Sequence, residues 1–288
     1  MTNQEKVKIH SSNLELLTKR QSILRAQKNI AIKDMVNAVC NDEASIKVLQ
    51  NTLANLNLDL SSDDKISFCR AICSSHLQKD IPPLLSIGSN DPTPAGAHSK
   101  ISFIKNKYND LAFERFSTFI SNAKADYATS FKESCENVTN GFCEFCILPI
   151  TSSEDGRLMS FYSLLDRYEL KICAVTDIED EDSSKTIRYA CVGKASHEPT
   201  KKNLKDDIIF EFFTIDSTSD FLSLLILAAK EADAEIVNVD SFPVEYSQHL
   251  QNFFFSFRMP YQNSLFFRLL VAINQSNYNP IGLYKEIL

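Results

Sequence analysis

The period of the hydrophobic pattern changes once along this chain, and that change divides what its two parts can fold into. From Asn13 to about Val39 the apolar residues Leu16, Leu17, Ile23, Leu24, Ala26, Ile30, Ala31, Met35 and Val36 recur at three- and four-residue intervals, which puts them on one face of a helix. One long helix is therefore predicted. A second follows from Asp42 or Glu43 through Ile46, Val48, Leu49, Leu53 and Leu56. A third opens at Ser61 or Ser62, with acids in its first turn, where the helix dipole favours them. Residues 1–85 read as a three-helix domain. The stretch 79–100 then holds four of the nine prolines and two of the six glycines, residues that interrupt helices and strands alike, and it marks a linker.

Beyond the linker, strands alternate with helices. Strands are predicted at 100–104, 142–150, 170–178 and 186–193, with helices over Asp110–Asn122 and Arg157–Tyr168. Only the acidic turn EDEDSSK separates the last two strands, so they should form an antiparallel hairpin. Residues 98–200 thus read as a small, single-lobe α/β domain. After a basic linker come a strand at 208–215, a helix Ser219–Ala232, strands at 235–244 and 252–257, a helix Asn263–Asn274 and a closing strand PIGLYKEI. The order β-α-β-β-α-β over 206–288 is that of a ferredoxin-like domain. The expected fold class is α+β, in three domains.

Composition narrows the function. Hydrophobic residues make up 44% and charged residues 23% of the 288, which fits a globular chain and excludes collagen-like or disordered ones. No apolar run approaches the ~18 residues of a membrane span, and MTNQEKVKIH lacks a signal peptide's apolar stretch, so a cytoplasmic protein without a membrane partner is expected. Between 206 and 288 there are eleven carboxylates against four Lys and Arg, and no segment has the dense basic face that nucleic acid requires. The eight cysteines fall mostly within apolar periodic segments, as small core thiols would. Cys143 and Cys146 form a CxxC in the strand at 142–150, with no second pair or His at metal spacing, and Cys69 and Cys73 share a helix face. The five histidines are scattered, and EDEDSS reads as a solvated turn. No metal or cofactor is expected.

Specific residues then carry a resemblance. FCEFCILPITSSEDGRLMSFYSLLDRYELKI resembles the segment of prephenate dehydratases in which a strand ends in Pro-Ile-Glu-Asn-Ser and leads through a glycine into a helix and a second strand. Pro149, Ile150, Ser153 and Gly156 match that frame. KTIRYACVGK resembles the closing Thr-Arg-Phe strand, and SFIKNKYNDLAFERF the opening strand and helix. The C-terminal unit resembles the regulatory ACT domain of the same enzymes, with Asp240-Ser241-Phe242-Pro243 standing where they have Glu-Ser-Arg-Pro. The first helices resemble the chorismate mutase that precedes the dehydratase in bifunctional enzymes of phenylalanine synthesis, the best local match being Ser74 to Gln78.

What the resemblance implies is tempered by departures. Family members hold substrate in a cleft between two lobes, and Lys100–Lys194 has length for one. Thr151, Ser152 and Ser153 occupy the Glu-Asn-Ser position, so its carboxylate is absent. Beside Arg188 stands Ile187 where the motif has its hydroxyl; pairing Thr186 with Arg188 instead places the two on one strand face. Dehydration of prephenate needs a placed proton donor and clamps on the carboxylates, each contributing about 2 to 4 kcal/mol to lowering the barrier. The dehydratase-like candidates are Ser152, Ser153, Thr186 and Arg188. For the mutase, whose work is cationic clamping of two carboxylates, they are Arg20, Arg25, Lys33 and Gln78, with Lys28 nearby. The second helix offers Ser45, Ile46 and Lys47 where that family supplies an Arg and a Glu.

For the ACT-like domain the resemblance implies ligand contacts at Asp220, Leu222, Asp240 and Ser241. The family's Gly-Ala-Leu turn reads Asp220-Phe221-Leu222 here, and its Arg is Phe242. Seven phenylalanines in the domain's strands (210, 212, 213, 253, 254, 255 and 257) suggest an aromatic sheet face that meets a second copy, so a homodimer through 206–288 is expected. Together these readings describe a reduced relative of the bifunctional mutase/dehydratase, retained to bind a pathway metabolite or amino acid, to regulate or to assemble. An active dehydratase or mutase is the alternative.

Overall fold

The computed structural model describes residues 3–40, 62–76, 99–120, 122–179, 185–195, 207–215, 219–243, 251–274 and 279–287. The chain separates into two compact units, Met1–Pro82 and Pro83–Leu288.

In the first unit, α1 (Asn3–Cys40) is the long helix expected and α2 (Ser62–His76) is the expected third. The helix read from 42 onward and Gln78 lie outside the described residues, as do the side chains of Lys33 and Ser74. The helices are joined by charge: Arg25 Nη2 donates to Asp63 Oδ2 at 3.3 Å and Lys28 pairs with Asp64, both acids in the first turn of α2. Phe68 and Cys69 are buried on α2 together with Ile66 and Cys73, so the paired thiols are core. By contrast Ile9, Leu16, Ile23 and Ile30, spaced seven apart on α1, are 49–60% exposed.

The second unit is built on one ten-stranded mixed sheet. Its elements are β1 (Lys100–Ile104), α3 (Lys107–Phe119), β2 (Lys124–Ala128), α4 (Phe131–Thr139), β3 (Phe145–Ser152), β4 (Gly156–Arg157), α5 (Met159–Arg167), β5 (Lys171–Glu179) and β6 (Thr186–Gly193). They are followed by β7 (Asp207–Ile215), α6 (Ser219–Glu231), β8 (Glu235–Pro243), β9 (Gln251–Pro260), α7 (Tyr261–Asn274) and β10 (Asn279–Glu286). The strands lie in the order β2-β1-β3-β6-β5-β10-β7-β9-β8, with β4 beside β3.

β5 and β6 pair antiparallel from Lys171↔Gly193 to Glu179↔Thr186, as the short acidic turn required. Among β7, β8, β9 and β10 every pairing is antiparallel, and the fourth strand of this group lies beside the first, then the third, then the second. No break separates this group from the preceding strands. β10 pairs in parallel with β5, so the expected segments 98–200 and 206–288 contribute to one sheet. Gly282 makes the junction possible: a Cβ there would sit 2.8 Å from Ile172 Cβ and 2.9 Å from the Ile172 carbonyl.

Some boundaries differ from the sequence reading for local reasons. α3 begins three residues earlier than expected because Asn106 caps it, its side chain accepting from the N–H groups of Tyr108 and Asn109. The strand read at 142–150 begins at Phe145, leaving Cys143 before it rather than within it. β2 and α4 were not expected. β2 (KADYA) is a sheet edge with one buried residue, and α4 is nine residues capped by Ser130.

The phenylalanines do not form an exposed patch, which corrects the basis on which dimerisation was expected. Phe210, Phe212, Phe255 and Phe257 face α6 and α7 and pack on Phe221 and Phe267. Phe213 and Phe254 face the other way, where Tyr162 from α5 meets both rings edge-on. Alternation along each strand divides the rings between two covered faces, and each fully buried ring contributes about 1.5 to 3 kcal/mol. Among the described residues of 206–288 the exposed large apolar side chains are Ile236, Val237 and Val239 on β8, the sheet's edge, and Ile226 and Leu227 on α6.

Candidate functional site

The sheet brings Ser152, Ser153, Thr186 and Arg188 together where the end of β3 meets the start of β6, in the register Thr151↔Arg188 and Ser152↔Ile187. Each is engaged within the fold. The Ser152 hydroxyl is buried and accepts from the N–H groups of Glu154 (3.2 Å) and Asp155 (3.3 Å), closing the turn that leads through Gly156 into β4. Gly156 has φ +69°, a conformation a side chain would strain. The Ser153 hydroxyl accepts from the Thr186 N–H at 3.1 Å, and Ser153 N–H donates to the Thr186 carbonyl at 2.9 Å.

Arg188 is the cation a carboxylate substrate would need, and two protein carboxylates hold it. Its Nε and Nη2 donate to the two oxygens of Asp177, each at 2.8 Å, and its Nη1 lies 3.0 Å from Glu286 Oε1. These bonds, foremost those to Asp177, push its pKa further above the usual arginine value. Glu286 in turn accepts from Arg258 at 2.9 Å, and Arg258 lies 3.6 Å from Glu235. A chain of ion pairs of alternating sign, Asp177–Arg188–Glu286–Arg258–Glu235, thus links β5, β6, β10, β9 and β8. Sequence reasoning missed Asp177 and Glu286; the signal for Asp177 was available, since it faces Arg188 in the expected hairpin.

A second polar cluster lies under the aromatic face of β7 and β9. Arg157 lies with its guanidinium carbon 3.5 Å from the Phe254 ring centroid, its Nη1 donating to the Tyr162 hydroxyl at 2.7 Å and its Nε to Asp240 Oδ2 at 3.0 Å. Beneath it is Glu211, 5% exposed, hydrogen-bonded by Tyr284 and Ser256, with Oε2 unpartnered. Burial raises the Glu211 pKa, and the neighbouring Arg157 opposes that rise. None of Arg157, Tyr162, Glu211 or Tyr284 was singled out by the sequence.

The other expected sites stand as follows. β8 runs parallel to β7, so Asp240, Ser241 and the first turn of α6, with Asp220 and Leu222, lie at the same end of the sheet. Asp240 is taken by Arg157 and by Asn238 Nδ2 (3.0 Å), on the Phe254 side; Ser241 pairs with Phe253 and is exposed. Leu222 is half-buried and the Asp220 side chain lies outside the described ones. In the helical unit Arg20 is exposed and Arg25 is paired with Asp63. Burial pushes the Cys143 thiol up to about 11, which leaves it protonated and unreactive at neutral pH. Among the described residues no group of three or more His, Cys, Asp or Glu could hold a metal ion, and no helix is long and apolar enough to cross a membrane.

No protein-family profile and no curated protein sequence matches the chain. Solved structures do. Prephenate dehydratase from Streptococcus mutans superposes with a TM-score of 0.52 at 14% identity, over 66% of this chain and 100% of that one. GqqA, described as a novel type of quorum quenching acylase, gives 0.50 at 16% identity over 64% of this chain and 94% of that one. Prephenate dehydratase from Arthrobacter aurescens in complex with L-Phe gives 0.48 at 10% identity, over 65% and 90%. The chain has a prephenate dehydratase-like mixed α/β fold.

Proposed function

We propose that the chain is a reduced relative of the bifunctional chorismate mutase/prephenate dehydratase that no longer dehydrates prephenate and serves aromatic amino acid synthesis in the cytoplasm as a binding, regulatory or assembly protein. The observation that carries this reading is Arg188, which is held bidentately by Asp177 and paired with Glu286, so that a substrate carboxylate would have to compete with two carboxylates of the protein. What a substrate carboxylate would gain from this arginine is offset by the loss of the protein carboxylates it would displace. The missing Glu-Asn-Ser carboxylate and the structural use of Ser152 and Ser153 support the same conclusion.

The three-part reading, with mutase-like 1–85, dehydratase-like 98–200 and ACT-like 206–288, is part of this proposal. The strand order and the all-antiparallel pairing of β7 to β10 support a ferredoxin-like, ACT-like last part. We place the homodimer contact on its β8 edge, where Ile236, Val237 and Val239 are exposed beside unpaired backbone groups, a combination that favours pairing with another strand. The test is assay of the purified chain with chorismate and with prephenate. Neither should be turned over; sustained turnover of either would replace this reading with the enzymatic one.

A further inference from the structure

Between the end of α5 and the start of β10 the second unit has a cleft of about 590 Å³, within the size range of small-molecule sites. Asp166, Tyr168, Glu169, Lys171, Lys194 and Asn279 line it. Two ammonium groups and two carboxylates face the same space. None of the six belongs to the Arg188 constellation or to the Asp240–Pro243 segment.

Lys171 distinguishes this cleft from a surface hollow. Its half-buried ammonium donates to the Pro280 carbonyl at 2.7 Å and to Asn279 Oδ1 at 3.3 Å, which uses two of its three N–H groups. Burial lowers its pKa, which the nearby carboxylates of Asp166 and Glu169 oppose, although neither forms a direct ion pair with it. An arriving carboxylate would therefore meet a partly desolvated cation that no carboxylate among the described residues touches directly. Asn279 turns its amide Nδ2 to Asp166 Oδ1 at 2.7 Å, fixing that carboxylate on the opposite side of the same amide group. Glu169 follows the end of α5 in the left-handed region, with φ +52°. The Tyr168 hydroxyl donates to Glu136 at 3.0 Å, which holds the ring in place.

Ligand charge follows from this lining. An inorganic anion would satisfy the lysines and face two carboxylates, and a cation would meet the reverse; only a molecule with both signs meets complementary charge throughout. We propose that this cleft binds a free α-amino acid, its carboxylate on Lys171 and Lys194, its ammonium toward Asp166 and Glu169, and its side chain along the Tyr168 ring. This rests on the reading of the chain as a binding protein, yet the two fail separately, since turnover of prephenate would end that reading and leave binding here untouched.

The test is isothermal titration of the full chain with L-phenylalanine, L-leucine, L-glutamate and L-lysine in turn, with 3-phenylpropionate and phenethylamine as probes that each lack one head charge. At least one amino acid should bind saturably at one site, while the single-charge probes bind at least tenfold more weakly. Lys171→Met and Lys194→Gln should each weaken binding at least fivefold, and Lys230→Gln, on the exposed side of α6, should leave it within threefold. Lys194 is exposed, so its replacement decides the matter even where Lys171→Met fails to fold. No saturable binding by any of the four, equal binding of 3-phenylpropionate, or unchanged binding in Lys194→Gln would overturn the proposal.

Discussion

Arg188 and Asp177 face each other across the β5–β6 hairpin and share two parallel N–H···O bonds of 2.8 Å. The pair is partly exposed, with side chains 30% and 44% accessible, so solvent screening limits its worth. A double-mutant cycle of Arg188→Ala and Asp177→Asn in urea unfolding should give a coupling of about 1 kcal/mol that shrinks in high salt. Coupling near zero at low salt would mean that Arg188 is not held as described.

Gly282 is where β10 approaches β5, and no side chain fits there. Gly282→Val should destabilise the second unit by about 1 to 3 kcal/mol or more, because the obstacle is the Ile172 backbone carbonyl and not a movable side-chain end. Denaturant midpoints with an unchanged m-value check this. A neutral Gly282→Val would show that the two halves of the sheet are not fused.

Glu211 sets a pH dependence. Its folded pKa is raised by burial above the ordinary 4.5, so the folded chain holds this proton more tightly than the unfolded one. Stability from this group is fully present below pH 4.5 and is lost as pH rises through the folded value. Glu211→Gln should therefore gain stability relative to the unaltered chain at pH 8 and lose that advantage at pH 4.5. Urea titrations at the two pH values check it; a Gln variant equally destabilised at both would show that Glu211 is held as a well-satisfied carboxylate.

These expectations rest on contacts that differ in how visible they were in the sequence. β1 and β6 were legible to the residue, since KISFI and TIRYACVG are short apolar runs bounded by turn or polar residues. β2 and α4 were not, because Lys124–Thr139 buries only Ala128, Ser134, Cys135 and Val138 and shows no sustained period. Arg188 could be named as a candidate, but Glu286, one of its two partners, comes from a strand nearly a hundred residues away. The pairing of Gly282 with Ile172 is equally non-local. Counting phenylalanines identified the aromatic strands without dividing their rings between faces, and the Arg157–Tyr162 cover over Phe254 depends on how the two halves of the sheet are joined.

Self-association through β8 is tested without truncation, since removing residues beyond 205 would strip β5 of its β10 neighbour. Val239→Lys places a charge on the exposed edge and should convert a dimer to monomer in light scattering while leaving the melting temperature within a few degrees. A dimer that survives the substitution would move the contact elsewhere, and the heptad-spaced Ile9, Leu16, Ile23 and Ile30 on α1 would be the next surface to alter.

The most direct measurement of the central claim is phenylpyruvate formation from prephenate by the purified full chain at neutral pH, alongside Arg188→Ala. No rate above the uncatalysed reaction is expected for either protein, because Asp177 and Glu286 compete for the arginine and the motif's carboxylate is missing. A turnover near the ~10 per second typical of enzymes that disappears in Arg188→Ala would contradict it.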